Sequence, residues 1–290
     1  MDSTAASLSR KLTVGQQHHY REQGYCFPLR VLEETEAAGL RNQFQDYVDR
    51  HAEKLKRLLP RDRRAYLTET HLCLPWVYRL VTHPAVLDAV ESVLGPNLLV
   101  WGSQWFPKLP GDKAYVSWHQ DGTYWGLHPP NVTTAWIALS ESTTANGCMR
   151  VVPRTHLASL LPQRETYAPD NMLSRGQEIA VEVDEAQAVD LVLRPGEMSL
   201  HHIGLVHGSG PNHSTAPRIG LAIRYISPDV IQEGASRDIA VLARGKDDYG
   251  HFDLVTPSDR EENPEESALH REALQRKGSN ILPKDYTPQK

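Results

Sequence analysis

Between residues 98 and 227 the chain breaks into short apolar runs: LLVWGSQWFPK, YVSWHQDGTYW, VTTAWIALS, CMRVVP, MSLHHIGLVHG and IGLAIRYIS. Each is rich in Val, Ile, Trp, Tyr or Thr, and Gly, Pro, Asn and Ser separate them. β-Branched and aromatic side chains suit a pleated, half-buried surface, and the separating residues suit turns. Strands at this spacing build a sandwich or a barrel rather than alternating βαβ units.

Helical patterns come first. Thr13 is placed to cap VGQQHHYREQGY, which Gly24 stops, and YCFPLRVL follows as a strand and turn. Over 33–58, Leu40, Phe44, Tyr47, Val48, Leu55 and Leu58 recur at helical spacing. PAVLDAVESVL (84–94) has Pro84 at its start and Gly95 just past its end. RLLPRDRRAY reads as a basic surface loop or a lid. After the β-rich body, DREENPEESALHREALQRKG reads as one amphipathic helix in a polar tail, with PKDYTPQK frayed at the end and the segment before Leu12 frayed at the start. One domain over 1–290 is the simplest organisation.

The net charge of −5 gives no basic footprint for nucleic acid or an anionic membrane surface. No apolar run approaches a membrane span, and the first residues carry no apolar secretory segment. Cys26, Cys73 and Cys148 are widely spaced and odd in number, as expected of buried thiols in a reducing cytoplasm.

The segment WHQDGTYWG (118–126) carries the chemistry. On a strand, residues two apart share a face, so His119 and Asp121 would present an imidazole and a carboxylate side by side. Such a pair plus one more histidine makes a facial triad suited to non-haem Fe(II). The HxD spacing alone also arises by chance, with a satisfied histidine beside a capping aspartate. Among 14 histidines, His207 stands out: it ends an apolar run, and after a turn-rich loop a strand begins at Arg218. Two antiparallel strands joined by that loop would bring His207 and Arg218 to one cavity, where a guanidinium can hold a carboxylate or serve an ordinary ion pair. Small residues at Gly220 and Ala222 leave room beside it. His18, His19, His51, His251 and His270 lie in polar segments and are expected to be solvated, while His201 and His202 are expected in the core or just behind the site.

Together WHQD (118–121), TAWIAL (134–139), NGCMRVVPRTH (146–156) and LVHGSGPN (205–212), with Arg218 eleven residues after His207, resemble the phytanoyl-CoA dioxygenase family of Fe(II)/2-oxoglutarate oxygenases. The N-terminal VGQQHHYREQGYCFP resembles that family's opening, and the resemblance spans about 13–228, leaving about 229–290 as an extension. It implies a mainly β fold with flanking helices, a double-stranded β-helix or jelly roll of the cupin kind. It implies Fe(II) on His119, Asp121 and His207, and 2-oxoglutarate held by Arg218 with help from Ser209, Trp136 and Gln104, Lys108 being a weaker candidate. It implies O2 as co-substrate, succinate and CO2 as coproducts, and oxidation of a small or medium polar metabolite. Family members often carry glycine where Arg154 stands. Related halogenases replace the metal-binding aspartate with a small residue, so Asp121 favours hydroxylation. Tyr115, Tyr124, Trp125 and Arg150 are the expected substrate contacts, with His128 nearby; aromatic walls suit a cation or a flat ring. The rivals are a jelly roll that binds metal without oxygenase activity and a cupin-type hydrolase or isomerase using the metal as a Lewis acid.

Overall fold

Thr13 caps the first helix as its sequence asks. In a computed structural model describing residues 10–57, 63–234 and 236–281, helix α1 (Val14–Gln23) opens with a reciprocal box between Thr13 and Gln16 and closes on Gly24 at φ 86°. A left-handed C-cap favours glycine there. Arg10 to Leu12, expected to fray, are held instead: the Lys11 ammonium meets Glu91 at 2.8 Å, and the buried Leu12 donates its N–H to Ser92. The long helical pattern over 33–58 divides at His51 into α2 (Glu34–Arg50) and α3 (Ala52–Arg57), and Leu58 lies outside the described residues. Helices α4 (Pro75–Val81) and α5 (Pro84–Leu94) both start on proline, whose missing N–H costs nothing in a first turn.

The β-rich body forms two sheets. The larger runs β1 (Tyr25–Arg30), β10 (Glu197–His202), β5 (Val132–Ala138), β12 (Gly220–Ile226), β2 (Leu98–Trp105), β14 (Ile239–Arg244) and β15 (Asp253–Leu254). The smaller runs β3 (Val116–His119), β11 (Val206–Ser209), β6 (Met149–Val152) and β9 (Val189–Leu191). Two short ribbons pair β4 (Leu127–His128) with β13 (Ile231–Gln232), and β7 (Gln163–Glu165) with β8 (Gln177–Ile179). Within both main sheets all pairings are antiparallel except β14 with β15. This is the jelly roll with flanking helices.

Alternation along the strands separates two apolar layers. On β5, Ala135 and Ile137 join the core beneath the helices with Val77, Val86 and Leu221. Trp136 and Ala138 face inward with Met149, Val151, Leu205 and Ala222. The β body extends beyond residue 228, because β14 joins the larger sheet beside β2. Helix α6 (Gly122–Trp125) is a single turn near the site. The C-terminal helix α7 (Ala268–Ile281) is shorter than its pattern suggested, beginning at Ala268 rather than Asp259. That helix is not a detached polar extension. His270, expected in solvent, is fully buried, with its ring nitrogens on the carbonyls of Pro264 (3.0 Å) and Thr68 (2.8 Å). PKDYTPQK lies outside the described residues.

Cys26, Cys73 and Cys148 are free and buried, and burial pushes their thiols up to about 11, 12 and 11. Among the described residues no helix is long and apolar enough to cross a membrane.

Candidate metal centre and adjoining cavities

β3 and β11 run antiparallel with His119 opposite His207, their rings 4.1 Å apart. Asp121 is not a strand-face neighbour of His119. The strand ends at His119, because the buried Gln120 side chain donates to the Gly204 carbonyl (2.7 Å) and accepts from the Leu161 N–H (2.8 Å). These bonds turn the chain, and Asp121 takes helical angles at the head of α6. Its carboxylate still comes back to 3.4 Å from His119 Nε2 and 4.0 Å from His207 Nε2. One ligand atom from each of the three buried residues lies within 4.8 Å of the others.

The donor chemistry fits a cation. His119 Nδ1 sits 2.9 Å from the Ser117 carbonyl, and His207 Nδ1 sits 2.9 Å from that of Leu205. A carbonyl accepts only, so each Nδ1 carries the proton and each Nε2 turns a lone pair towards the carboxylate. Two lone pairs and an anion thus converge without a hydrogen between them, which is the arrangement a divalent metal resolves. Burial holds His207 well below its ordinary value, and the adjoining His119 and His201 add to this.

Arg218 does not reach this centre from a hairpin with β11. Strand β11 belongs to the smaller sheet, whereas Arg218 precedes β12 in the larger one and bridges to Lys108. His207 and Arg218 therefore face one small cavity, of about 60 Å³, from opposing sheets, along with Trp136, Ser209, His119 and Asp121. The Arg218 guanidinium lies 5.3 Å from the Trp136 ring centre and donates to the carbonyls of Phe106 (3.1 Å) and Gly147. Among the described residues no carboxylate pairs with it. Lys108 is fully buried and donates to Ser209 Oγ at 2.7 Å. Burial and then the charge of Arg218 push its ammonium down to about 6.

Gly220 serves Trp136. A Cβ at 220 would stand 2.2 Å from the Trp136 ring, so the small residue makes way for the indole beneath the cavity. Gly220→Ala is expected to displace Trp136 and destabilise the protein by about 1–3 kcal/mol, the usual cost of overpacking; unchanged thermal stability and tryptophan fluorescence would contradict this packing.

A second, larger cavity of about 540 Å³ also touches His119 and Asp121. Gln104, Tyr124 and Trp125 line it, as do Arg64 and Arg224. Gln104 opens on this cavity, where its Oε1 accepts from Arg224 at 3.2 Å. Tyr115 and Arg150 are not brought to either cavity. Tyr115 bridges to Asn171, and Arg150 is engaged on the outer side by Glu185 (2.6 Å), Asp190 (3.2 Å) and the Trp118 ring. His128 is exposed. Arg154 is exposed at φ 68°, in the left-handed region that favours glycine.

His201, expected in the core or just behind the site, comes within 3.9 Å of Asp121 and 4.6 Å of the His207 ring, with neither ring nitrogen hydrogen-bonded. Sequence reasoning missed one group. Glu69 and Lys277 form a buried pair at 2.9 Å across the larger cavity, with Lys277 also donating to the Trp101 carbonyl. No local pattern announces it, since the partners are 208 residues apart.

Four histidines give a pH dependence. Burial lowers His71 and His207 well below their ordinary value, and His201 and the half-buried His202 to about 4. In the unfolded chain each takes a proton below about 6.5. The unfolded state then binds more protons, so stability present above pH 6.5 is lost as pH falls towards 4. Urea midpoints of the metal-free protein should fall across that window; a flat profile would contradict neutral burial.

Comparison with known proteins agrees with this geometry. The sequence profile of the family described as phytanoyl-CoA dioxygenase (PhyH) matches residues 20–220, more than half of the chain. The human peroxisomal phytanoyl-CoA dioxygenase is 25% identical over 234 residues, covering 75% of this chain and 69% of the relative. A solved non-haem monooxygenase, ThoJ in its apo form, superposes with a TM-score of 0.80 at 35% identity, covering 92% of this chain and 97% of the other. SnoK, a non-haem α-ketoglutarate-dependent carbocyclase from nogalamycin biosynthesis, has a TM-score of 0.60 at 25% identity, covering 78% and 88%.

Proposed function

The chain belongs to the phytanoyl-CoA dioxygenase family, whose members depend on Fe(II) and 2-oxoglutarate, and on that premise we propose that it hydroxylates an unactivated C–H bond of a small or medium polar metabolite. His119, Asp121 and His207 hold Fe(II), and Arg218 takes the far carboxylate of 2-oxoglutarate. The observation that carries this reading is the buried Arg218 guanidinium without an acidic partner, in the same cavity as the His–Asp–His group. A buried cation without a counter-charge is costly, and a ligand carboxylate removes that cost.

Bound there, Fe(II) with 2-oxoglutarate supplies O2 activation coupled to loss of CO2 and formation of succinate. The chain's own residues do the rest. Ser117 and Leu205 fix the two imidazoles through their carbonyls, Trp136 and Ser209 wall the cosubstrate cavity, and the apolar lining keeps water scarce. The Asp121 carboxylate fills the coordination place that halogenases of this kind leave open, which favours hydroxylation. SnoK's ring closure is the reason that reaction type needs its own test.

Succinate formation dependent on Fe(II), O2 and 2-oxoglutarate tests the class, with Arg218→Ala as the sharper probe. Losing a charge-assisted contact of about 1.5–3 kcal/mol should raise the 2-oxoglutarate requirement about 10- to 100-fold. An unchanged requirement would mean that another residue holds the cosubstrate.

A further inference from the structure

The larger cavity carries more cations than its carboxylates can neutralise. Arg64, Arg224 and Lys277 line it, facing Glu69 and Asp121. Glu69 is taken by Lys277 at 2.9 Å, and Asp121 belongs to the metal centre. Arg64 and Arg224 are left. Both have a buried Nε without a partner, and among the described residues neither forms an ion pair. Arg224 is aimed by two neighbours: Gln104 Oε1 accepts from its Nη2, and the Trp125 ring lies 5.3 Å beneath it. The two guanidiniums feel one another, the charge of Arg224 adding to burial in lowering Arg64. Folding two like charges into one partly dry cavity is unfavourable unless something of opposite sign arrives.

We infer that the substrate carries an oxyanion, a carboxylate or phosphoryl group, held between Arg64 and Arg224. A guanidinium fork matches either group bidentately. Trp101, Tyr124, Trp125 and Leu274 supply an apolar wall for the rest of the molecule, while His119 and Asp121 border the same space. The anion thus anchors one end of the substrate and presents a carbon of its body to the metal. This deepens the proposed oxygenase reading and rests on it for the identity of the reacting centre.

The test uses protein loaded anaerobically with Fe(II) and 2-oxoglutarate. Phenylacetate, phenylphosphonate and uncharged phenylacetamide are titrated by calorimetry into wild type, Arg64→Gln and Arg224→Gln. At least one anion should bind saturably, with the amide about tenfold weaker or worse, and each variant should weaken the anion about tenfold while leaving the amide unchanged. The preferred anion identifies carboxylate or phosphoryl chemistry. Arg64 sits on a short 3-10 turn (Arg64–Tyr66), so its variant keeps the test decisive should Arg224→Gln fail to fold. Equal binding of amide and anions, anion binding unaffected by Arg64→Gln, or binding of neither anion would overturn the inference. So would a raised 2-oxoglutarate requirement in Arg64→Gln, since the pair would then hold the cosubstrate. Failure of the oxygenase reading is seen separately, as absence of Fe(II)–2-oxoglutarate association in wild type.

Discussion

Asp121→Ala is expected to lose Fe(II) binding and, with it, all 2-oxoglutarate turnover. The carboxylate is the only anion among the three convergent ligands, and it faces two Nε2 lone pairs whose protons are fixed on the far side of each ring. Substituting residues that merely orient metal ligands costs about 10- to 100-fold in affinity. Removing the charged ligand itself should exceed that range. Iron titration followed by calorimetry reads the loss directly, and circular dichroism verifies that the variant is folded. Asp121 supports no strand pairing and heads a single helical turn, so the fold should survive. Wild-type affinity in the variant would remove Asp121 from the centre and place His201, the neighbouring unpartnered imidazole, in its stead.

Lys277→Ala should be strongly destabilising. Glu69 is 2% exposed, sits at φ 56°, and takes the Lys277 ammonium at 2.9 Å. His71 is 3.8 Å from the same carboxylate, but burial keeps that imidazole neutral. Truncation therefore leaves a buried carboxylate without its cation, a loss of about 3–5 kcal/mol. The Lys277 ammonium also sits over the Trp101 ring, with Nζ 4.3 Å from its centre. Chemical denaturation measures the change. The double variant Glu69→Gln, Lys277→Met should recover much of the stability, because no charge remains buried. A Lys277→Ala protein as stable as wild type would mean that water solvates Glu69 in the cavity.

These expectations differ in how far the sequence foretold them. Capping residues and proline starts announced α1 and α5 almost to the residue, because those signals act within one helical turn. Short apolar runs of branched and aromatic residues, separated by turn residues, announced the strands, and the ordered motifs announced the family and the cofactors. What escaped was set by contacts distant in sequence. Asp121 leaves the strand because Gln120 bonds to Gly204 and Leu161, so HxD spacing gave the right neighbours through the wrong local geometry. Arg218 shares the cavity with His207 across two sheets rather than along one hairpin, since β11 and β12 pair with different partners. Arg150 resembled a cavity residue until Glu185 and Asp190 drew it outward. The tail hid the largest surprise. It reads as an amphipathic helix in a polar tail with His270 in solvent, yet His270 and Lys277 are buried, and Leu274 with Lys277 closes one wall of the larger cavity.

One measurement bears most directly on the whole account. Purified protein is made anaerobic, Fe(II) is added, and 2-oxoglutarate follows while the visible spectrum is recorded. The account predicts a metal-to-ligand charge-transfer band that saturates with 2-oxoglutarate, needs a much higher concentration in Arg218→Ala, and is absent in Asp121→Ala and His207→Ala. A folded, iron-loaded wild-type protein that gives no such band would contradict the assignment of these residues to an Fe(II)/2-oxoglutarate centre.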